Sequence, residues 1–306
     1  MMSRKIICMG SVNMDLCMNM QRMPGVGETV KTDNFATYPG GKAGNQAAAA
    51  GALGGDVSVF ARLGDDSFSQ QLTQQLEKHG VSTKDLIYVP GDTAGIAMIR
   101  VDAQGRNSIS FTGGANDRLS AADVRAHRDA FPENGILLIT LELLPETVRE
   151  AITLAKEKHM LVVLDPSPVP PEGFPEDLCA MVDYAKPNEI EAELLSGVAV
   201  TDMESAARAH ARLREMGLKH PIISMSDKGA FTWVDGAPCI VAPKKVDAVD
   251  STAAGDIFLG AFAVALAQDR PLAECLNYAK TAAALSTTRA GAQTSIPTPG
   301  EVNAAL

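Results

Sequence analysis

Asp250-Ser251-Thr252-Ala253-Ala254-Gly255-Asp256 stands where an extended polar approach, Lys244 to Asp250, meets an apolar helical pattern that begins at Ile257. Three small residues at a helix start leave its first backbone N–H groups uncovered. With the positive end of the helix dipole, those donors form a site for phosphate or another anion. A carboxylate in that first turn, Asp256, is where a general base would sit beside a reacting phosphoryl group. An N-capping Asp250 or Asp256 on an ordinary helix has the same local sequence. The rest of the chain decides between the two.

Upstream, short apolar runs read as buried strands: Lys5–Met9, Val57–Arg62, Ile136–Thr140, Leu161–Leu164, Val182–Ala185 and Ile222–Met225. Between them lie helical patterns at Ala43–Leu53, Ser67–His79, Ala121–Ala130, Glu146–Lys158, Glu189–Leu195 and Met203–Met216. Ile257–Ala267 and Leu272–Thr287 close the chain as two further helices. This alternation predicts an α/β fold of three layers, a mainly parallel central sheet with helices on both faces. Two regions break the pattern. Leu16 to Ala36 carries Pro24-Gly25-Val26-Gly27 between extended segments, and Gly95 to Phe111 reads as a hairpin around Asp102-Ala103-Gln104-Gly105. Together they predict a small β-sheet lid, built from about residues 12–36 and 94–112, that closes over a ligand, pairs two copies of the chain, or both.

The 306 residues, 46% hydrophobic and 21% charged, suit one globular domain over 1–306 with a sizeable core. A formal charge of −10 argues against duplex nucleic acid or an anionic membrane surface as a partner. Five scattered cysteines without a C-x-x-C pair, and histidines without H-x-x-x-H spacing, argue against a disulfide framework or a zinc site. No run reaches membrane-spanning length, and the expectation is a cytoplasmic protein. Neither G-x-x-x-x-G-K-[ST] nor a G-x-G-x-x-G after the first strand occurs, which weakens P-loop and dinucleotide-binding readings.

Polar clusters instead follow the carboxyl ends of successive strands, where open α/β sheets bind ligands. Asn13 and Asp15 lie two apart and share one side of an extended chain, suited to vicinal sugar hydroxyls; a polar turn is the plainer reading. Gly40-Gly41-Lys42-Ala43-Gly44-Asn45-Gln46 enters an alanine-rich helix, with Lys42 and Asn45 placed to meet a ligand. Glu142 follows the strand at Ile136–Thr140. Asn188 and Glu191, three apart at a helix start, could hold Mg²⁺ or phosphate through water, or simply cap the helix. Ser224 to Gly229 could border a nucleotide. Carbonyls of the loop Arg289 to Ser295, with Asp250, could ligate a monovalent cation.

Gly40 to Ala47 and Asp250 to Asp256 resemble the two signatures of the PfkB family of carbohydrate kinases, and Asn188-x-x-Glu191 is a third, looser mark. The likeness runs from Lys5 to Pro297 and is strongest toward the ribokinase branch. It implies the ribokinase-like fold and an ATP-dependent kinase acting on a primary hydroxyl of a pentose, D-ribose first. Another acceptor (2-deoxyribose, fructose or a nucleoside), or a catalytically silent sugar-binding regulator, stands as the alternative. The resemblance implies Asp256 as the base, with backbone N–H groups of Ala253, Ala254 and Gly255 facing the developing charge. It places Asn13, Asp15, Gly41, Lys42, Asn45 and Glu142 on the sugar. Asn188, Ser224, Ser226, Asp227, Lys228, Gly229 and Lys280 would line the ATP side, with Glu191 near Mg²⁺. Asp250, Thr252, Ser286, Arg289, Gly291 and Ser295 match a K⁺ site, and the lid implies a homodimer. Three departures stand out: Ala43-Gly44 in place of Gly-Ala, Ser251 in place of Thr, and Lys280 in place of His or Asn.

Overall fold

Both faces of the central sheet are covered by helices, and its inner strands are apolar runs that turn polar only at their carboxyl ends, at Thr140 and Asp165. The computed structural model describes residues 3–306. Six parallel strands lie in the order His220–Pro221, Tyr184–Ala185, Leu161–Asp165, Ile136–Thr140, Ile6–Met9 and Val57–Phe60. Successive side chains point to opposite faces. Ile6, Cys8, Ile136, Leu138 and Val163 meet the helices Lys42–Ala52, Ala254–Ala267 and Leu272–Ser286. Ile7, Met9, Leu137, Ile139 and Leu164 meet the helices Pro145–Glu157 and Met203–Glu215 on the other side. The three-layer architecture expected from the alternation is present.

One helix contact sets up the site. Ala47 to Ala50 are fully buried where the Lys42–Ala52 helix crosses the Ala254–Ala267 helix. A Cβ at Gly260 would stand 2.6 Å from the Gln46 carbonyl oxygen, so the two backbones approach closely only because the crossing is built from Ala and Gly. That crossing brings the first turns of both helices together.

The lid is a separate four-stranded sheet in the order Asn34–Gly40, Asn13–Asn19, Gly95–Val101 and Asn107–Thr112. Its central pair is parallel and its outer pairs antiparallel. It extends four residues beyond the expected limit of Ala36, because Thr37 to Gly40 continue the ladder against Asn13 to Leu16. Asp15 pairs with Tyr38 and Ala97, and Ala97 with Phe111, so these side chains share one face. Tyr38, Ile109 and Phe111 on that face are exposed.

Four expectations about elements need correction. The strand expected at Val57–Arg62 divides: Val57–Phe60 stays in the main sheet, and Arg62–Gly64 pairs in parallel with Ile87–Val89 in a separate two-stranded sheet. The helix expected at Ala121–Ala130 stops at Ala126 and resumes as a short 3-10 turn at Arg128–Ala130, with His127 Nδ1 at 2.9 Å from the Asp123 carbonyl oxygen. The strand expected at Val182–Ala185 is only Tyr184–Ala185. The one expected at Ile222–Met225 divides: His220–Pro221 ends the main sheet, and Ile223–Ser224 joins an antiparallel ribbon with Ala230–Val234 and Ala237–Val241. Asp235 and Gly236, at φ 50° and 78°, make the two-residue turn of that ribbon.

Candidate active site

The helix carrying Asp256 starts at Ala254, three residues earlier than the apolar pattern suggested. Ala253 precedes it in the left-handed region, at φ 58°. The Ala254 N–H donates to the Ser251 carbonyl at 3.2 Å, so it is less available to a ligand than expected. The N–H groups of Ala253, Gly255 and Asp256 have no protein acceptor among the described residues. They are the orphan donors of a helix start, in the positive end of its dipole.

Asp256 is buried, and its carboxylate is held from both sides. Asn45 Nδ2 donates to Oδ2 at 3.0 Å and Gln46 Nε2 to Oδ1 at 3.2 Å. Gln293 Nε2 donates to Asn45 Oδ1 at 3.3 Å, which turns the Asn45 amide nitrogen toward the carboxylate. Gln46 Nε2 also donates to Asp165 Oδ2 at 2.8 Å, and Lys42 Nζ lies 3.8 Å from the same oxygen. Burial raises the Asp256 pKa, against the pull of Lys42, Asn45, Gln46 and Lys186. Burial also pushes Asp165 up to about 7, opposed by Lys42 and Lys186. Burial works against the charge of Lys42, but Asp165, Asp256, Glu142 and Glu191 together outweigh it and raise its pKa. The cluster is therefore two buried carboxylates between two lysines, a charge balance that an entering polyphosphate would upset.

Toward the lid, a second group of polar residues is fixed by the turn at Gly41. This residue sits at φ 81°, and a Cβ there would come within 2.7 Å of the Ser11 carbonyl and the Asn13 nitrogen. The Lys42 N–H donates to Ser11 Oγ at 3.2 Å, and Ser11 Oγ donates to Glu142 Oε2. Burial raises Glu142, partly offset by Ser11 and Lys42. Burial, with Glu142 adding, lifts Asp15 to about 6. Asn13 and Asp15 flank the same glycine-lined row of the lid, with Asn13 paired to Gly40 and Gly95.

A cavity of about 210 Å³ lies beside the Asp256 cluster, walled by Lys42, Asp165, Lys186, Asn188, Glu191 and the turn at Ser251 and Ala253 to Asp256; of the expected sugar residues only Lys42 lines it, and Asn13, Asp15, Gly41, Asn45 and Glu142 do not. Asn188 and Glu191 form a reciprocal helix cap: Asn188 Oδ1 accepts from the Glu191 N–H at 2.8 Å, and Glu191 Oε2 from the Asn188 N–H at 2.9 Å. The plainer reading of that pair is thus present, and both residues also face the cavity. Ser224 Oγ donates to the Pro187 carbonyl at 3.3 Å beside this wall. Ser226, Asp227 and Lys228 are exposed in a short 3-10 turn, where Lys228 Nζ donates to the Thr201 carbonyl at 2.8 Å. Neither they, nor Gly229, nor half-buried Lys280 of the Leu272–Ser286 helix, belong to the cavity wall.

The expected cation residues are only partly assembled. Asp250 Oδ1 accepts from the Thr252 N–H and hydroxyl at 2.9 and 2.6 Å, and Oδ2 from the Gly291 N–H at 2.8 Å. Burial raises the Asp250 pKa, but these three donors outweigh it and hold it below the ordinary carboxylate value. The other three side chains turn elsewhere: Ser286 Oγ to the Ala283 carbonyl, Ser295 Oγ to the Ala292 carbonyl, and the Arg289 guanidinium to Glu301. Among the described residues, no group of three or more His, Cys, Asp or Glu side chains has metal-binding geometry.

Sequence reasoning missed Lys186, Asp165, Gln46 and Asn116. Asp165 ends the strand Leu161–Asp165 and Lys186 directly follows Tyr184–Ala185, at the carboxyl ends where the other candidates lie. Gln46 adjoins Asn45 in the same motif. Asn116 left no sequence signal: it hydrogen-bonds Val12 and Asn13, more than a hundred positions away.

The pfkB family carbohydrate kinase model matches residues 3–299 of the chain. Ribokinase of Haemophilus influenzae is 34% identical over 297 residues, 97% of this chain and 96% of that protein. Deoxyribokinase of Salmonella typhi is 34% identical over 298 residues, 97% of both. The structure of Arabidopsis thaliana ribokinase complexed with ribose and ATP superposes with a TM-score of 0.88 at 28% identity, covering 99% of this chain and 98% of that one. Together with the three-layer fold and the open N–H groups at the helix start, these matches place the chain in the PfkB family of carbohydrate kinases, as an ATP-dependent kinase.

Proposed function

We propose that this kinase transfers the γ-phosphate of ATP to a primary hydroxyl of a pentose, converting D-ribose to ribose 5-phosphate. The observation that carries the reading is Asp256, a buried carboxylate aimed by two side-chain amides at the start of a helix whose N–H groups are open. In this reading Asp256 takes the proton from the sugar hydroxyl as its oxygen attacks the phosphoryl group. The open N–H groups of Ala253 and Gly255, with Lys42 and Lys186, receive the charge that develops on the transferring oxygens. Asn13, Asp15, Gly41, Lys42, Asn45 and Glu142 hold the sugar, and closure of the lid over it excludes water.

Asn188 with Ser224, Ser226, Asp227, Lys228, Gly229 and Lys280 is assigned to the nucleotide. Glu191 and Asp165, carboxylates on the wall beside two lysines, suit a hydrated Mg²⁺ that arrives with ATP and neutralises phosphate charge. Asp250 and Thr252, tied to the loop at Gly291, are assigned to K⁺, with Ser286, Arg289 and Ser295 contributing backbone carbonyls. Activity is then expected to be low in sodium buffer and to rise with potassium, and equal rates in both would remove the K⁺ assignment. The exposed Tyr38, Ile109 and Phe111 on the lid favour a homodimer through that sheet, and the cytoplasm suits the reaction.

The deoxyribokinase relative makes 2-deoxyribose the second reading. ADP release with Mg-ATP and potassium across ribose, 2-deoxyribose, fructose and nucleosides tests the choice. Preference for ribose supports the proposal; preference for 2-deoxyribose replaces it with the second reading. Turnover of hexoses or nucleosides alone defeats both.

A further inference from the structure

The geometry points to Asn116 as a specificity-determining positioning residue, one that orients the Asn13 amide so that its Nδ2 is the donor offered to the acceptor sugar. The inference rests on the assignment of Asn13 to the sugar. Asn116 lies in the short 3-10 turn Gly114–Arg118, 3% exposed, far along the chain from Asn13. Its own orientation is not free. Asn116 Oδ1 accepts from the Val12 N–H at 3.1 Å, and a backbone N–H can only donate. The Asn116 Nδ2 must therefore face the other way, where it donates to the Val12 carbonyl at 3.2 Å and to Asn13 Oδ1 at 2.8 Å. That bond fixes which end of the Asn13 amide faces Asn116, and leaves Asn13 Nδ2 with no protein acceptor among the described residues.

Two features keep the pair from rearranging. A Cβ at Gly95 would stand 2.1 Å from Asn13 Oδ1 and 2.5 Å from Asn116 Nδ2, so the two amides pack directly over the backbone of the lid strand, in space that only a glycine leaves. The Ala115 N–H donates to the Thr93 carbonyl at 2.9 Å, tying the turn to the chain just before that strand. The polarity of the pocket follows. Asp15 and Glu142 accept and Asn13 Nδ2 donates, so the arrangement favours a sugar that offers an acceptor oxygen to Asn13 beside a hydroxyl that donates to a carboxylate. An analogue lacking the oxygen at Asn13 leaves a donor unpaired, the costly kind of mismatch.

The test is a double-mutant cycle on the full-length protein, read as KM for ribose and, separately, KM for ATP. Asn116→Asp keeps the acceptor for the Val12 N–H but cannot donate to Asn13 Oδ1. It is expected to raise KM for ribose about tenfold, the worth of one such bond, and to leave KM for ATP unchanged. In an Asn13→Ala background the same change is expected to add nothing. Asn13→Asp, which leaves every Val12 contact intact but presents an acceptor to the sugar, is expected to raise KM for ribose at least as much. Independent, additive effects of the two sites would overturn the inference, as would an unchanged KM in Asn13→Asp. If Asn13→Ala itself leaves KM for ribose unmoved, the sugar-site assignment fails instead.

Discussion

Replacing Asp165 by Asn should make the protein's stability less dependent on pH. Asp165 is 4% exposed and its pKa is raised to about 7, because burial penalises its charge more than Lys42 and Lys186 restore it. A carboxyl whose folded pKa lies above its unfolded value binds protons more tightly when folded. Its contribution to stability is therefore present at low pH and lost as pH rises through about 7. Taking an unfolded value of about 3.9, linkage gives a loss on the order of 2 kcal/mol between pH 5.5 and 8.0. With about 2.1 cal/mol/K of unfolding entropy per residue over this length, that is a Tm difference of about 3 °C. Asn keeps an oxygen for the Gln46 amide and removes the titration. Thermal unfolding at the two pH values, wild type against Asp165→Asn, is the assay. The variant should hold more of its stability at pH 8.0, and parallel pH profiles for the two proteins would refute the reasoning.

Three further outcomes follow from the geometry. Gly95→Ala places a methyl 2.1 Å from Asn13 Oδ1, so KM for the sugar should rise tenfold or more, and a change within twofold would discount the close packing at the lid base. Because burial raises the Asp256 pKa, a base that works deprotonated should lose kcat as pH falls, with a midpoint above the ordinary carboxylate value of about 4. A kcat that holds level down to that pH would count against it. Lys42→Met removes the cation that pulls both buried carboxylates down, so the acid limb should move to higher pH while kcat drops; an unmoved limb would show that Lys42 does not govern the pair.

Much of this fold is legible because its strands are short continuous apolar runs and its helices are long and periodic. Ile6–Met9, Ile136–Thr140 and Leu161–Asp165 bury both faces, which is the physical reason for their hydrophobic runs, broken only at the carboxyl-end Thr140 and Asp165. The errors fall where that reason lapses. Val182 and Asp183 precede the two-residue strand Tyr184–Ala185 rather than extend it, and Asp183 instead accepts from the Val162 N–H, Lys156 and Lys219. The ribbon at Ala230–Val241 carries a strong hairpin signal in Asp235-Gly236, outside the strand–helix alternation that predicts the main sheet. At the site, residues beside a motif or a strand end were findable. Asn116 was not, because its partners Val12 and Asn13 are more than a hundred positions away. Nor does a sequence show that the Ala254 N–H bends back to Ser251, or that Arg289 pairs with Glu301.

The most direct test of the account is Asp256→Asn, with turnover and sugar affinity measured on the same preparation. Asn keeps the shape and one acceptor for the Asn45 and Gln46 amides, but it cannot take a proton. The expected result is a kcat lower by about 10²–10⁴ with ribose affinity, measured by titration calorimetry, within a few-fold of wild type. Near-normal turnover would mean that Asp256 is not the base, and an affinity loss larger than the turnover loss would make it a binding residue instead.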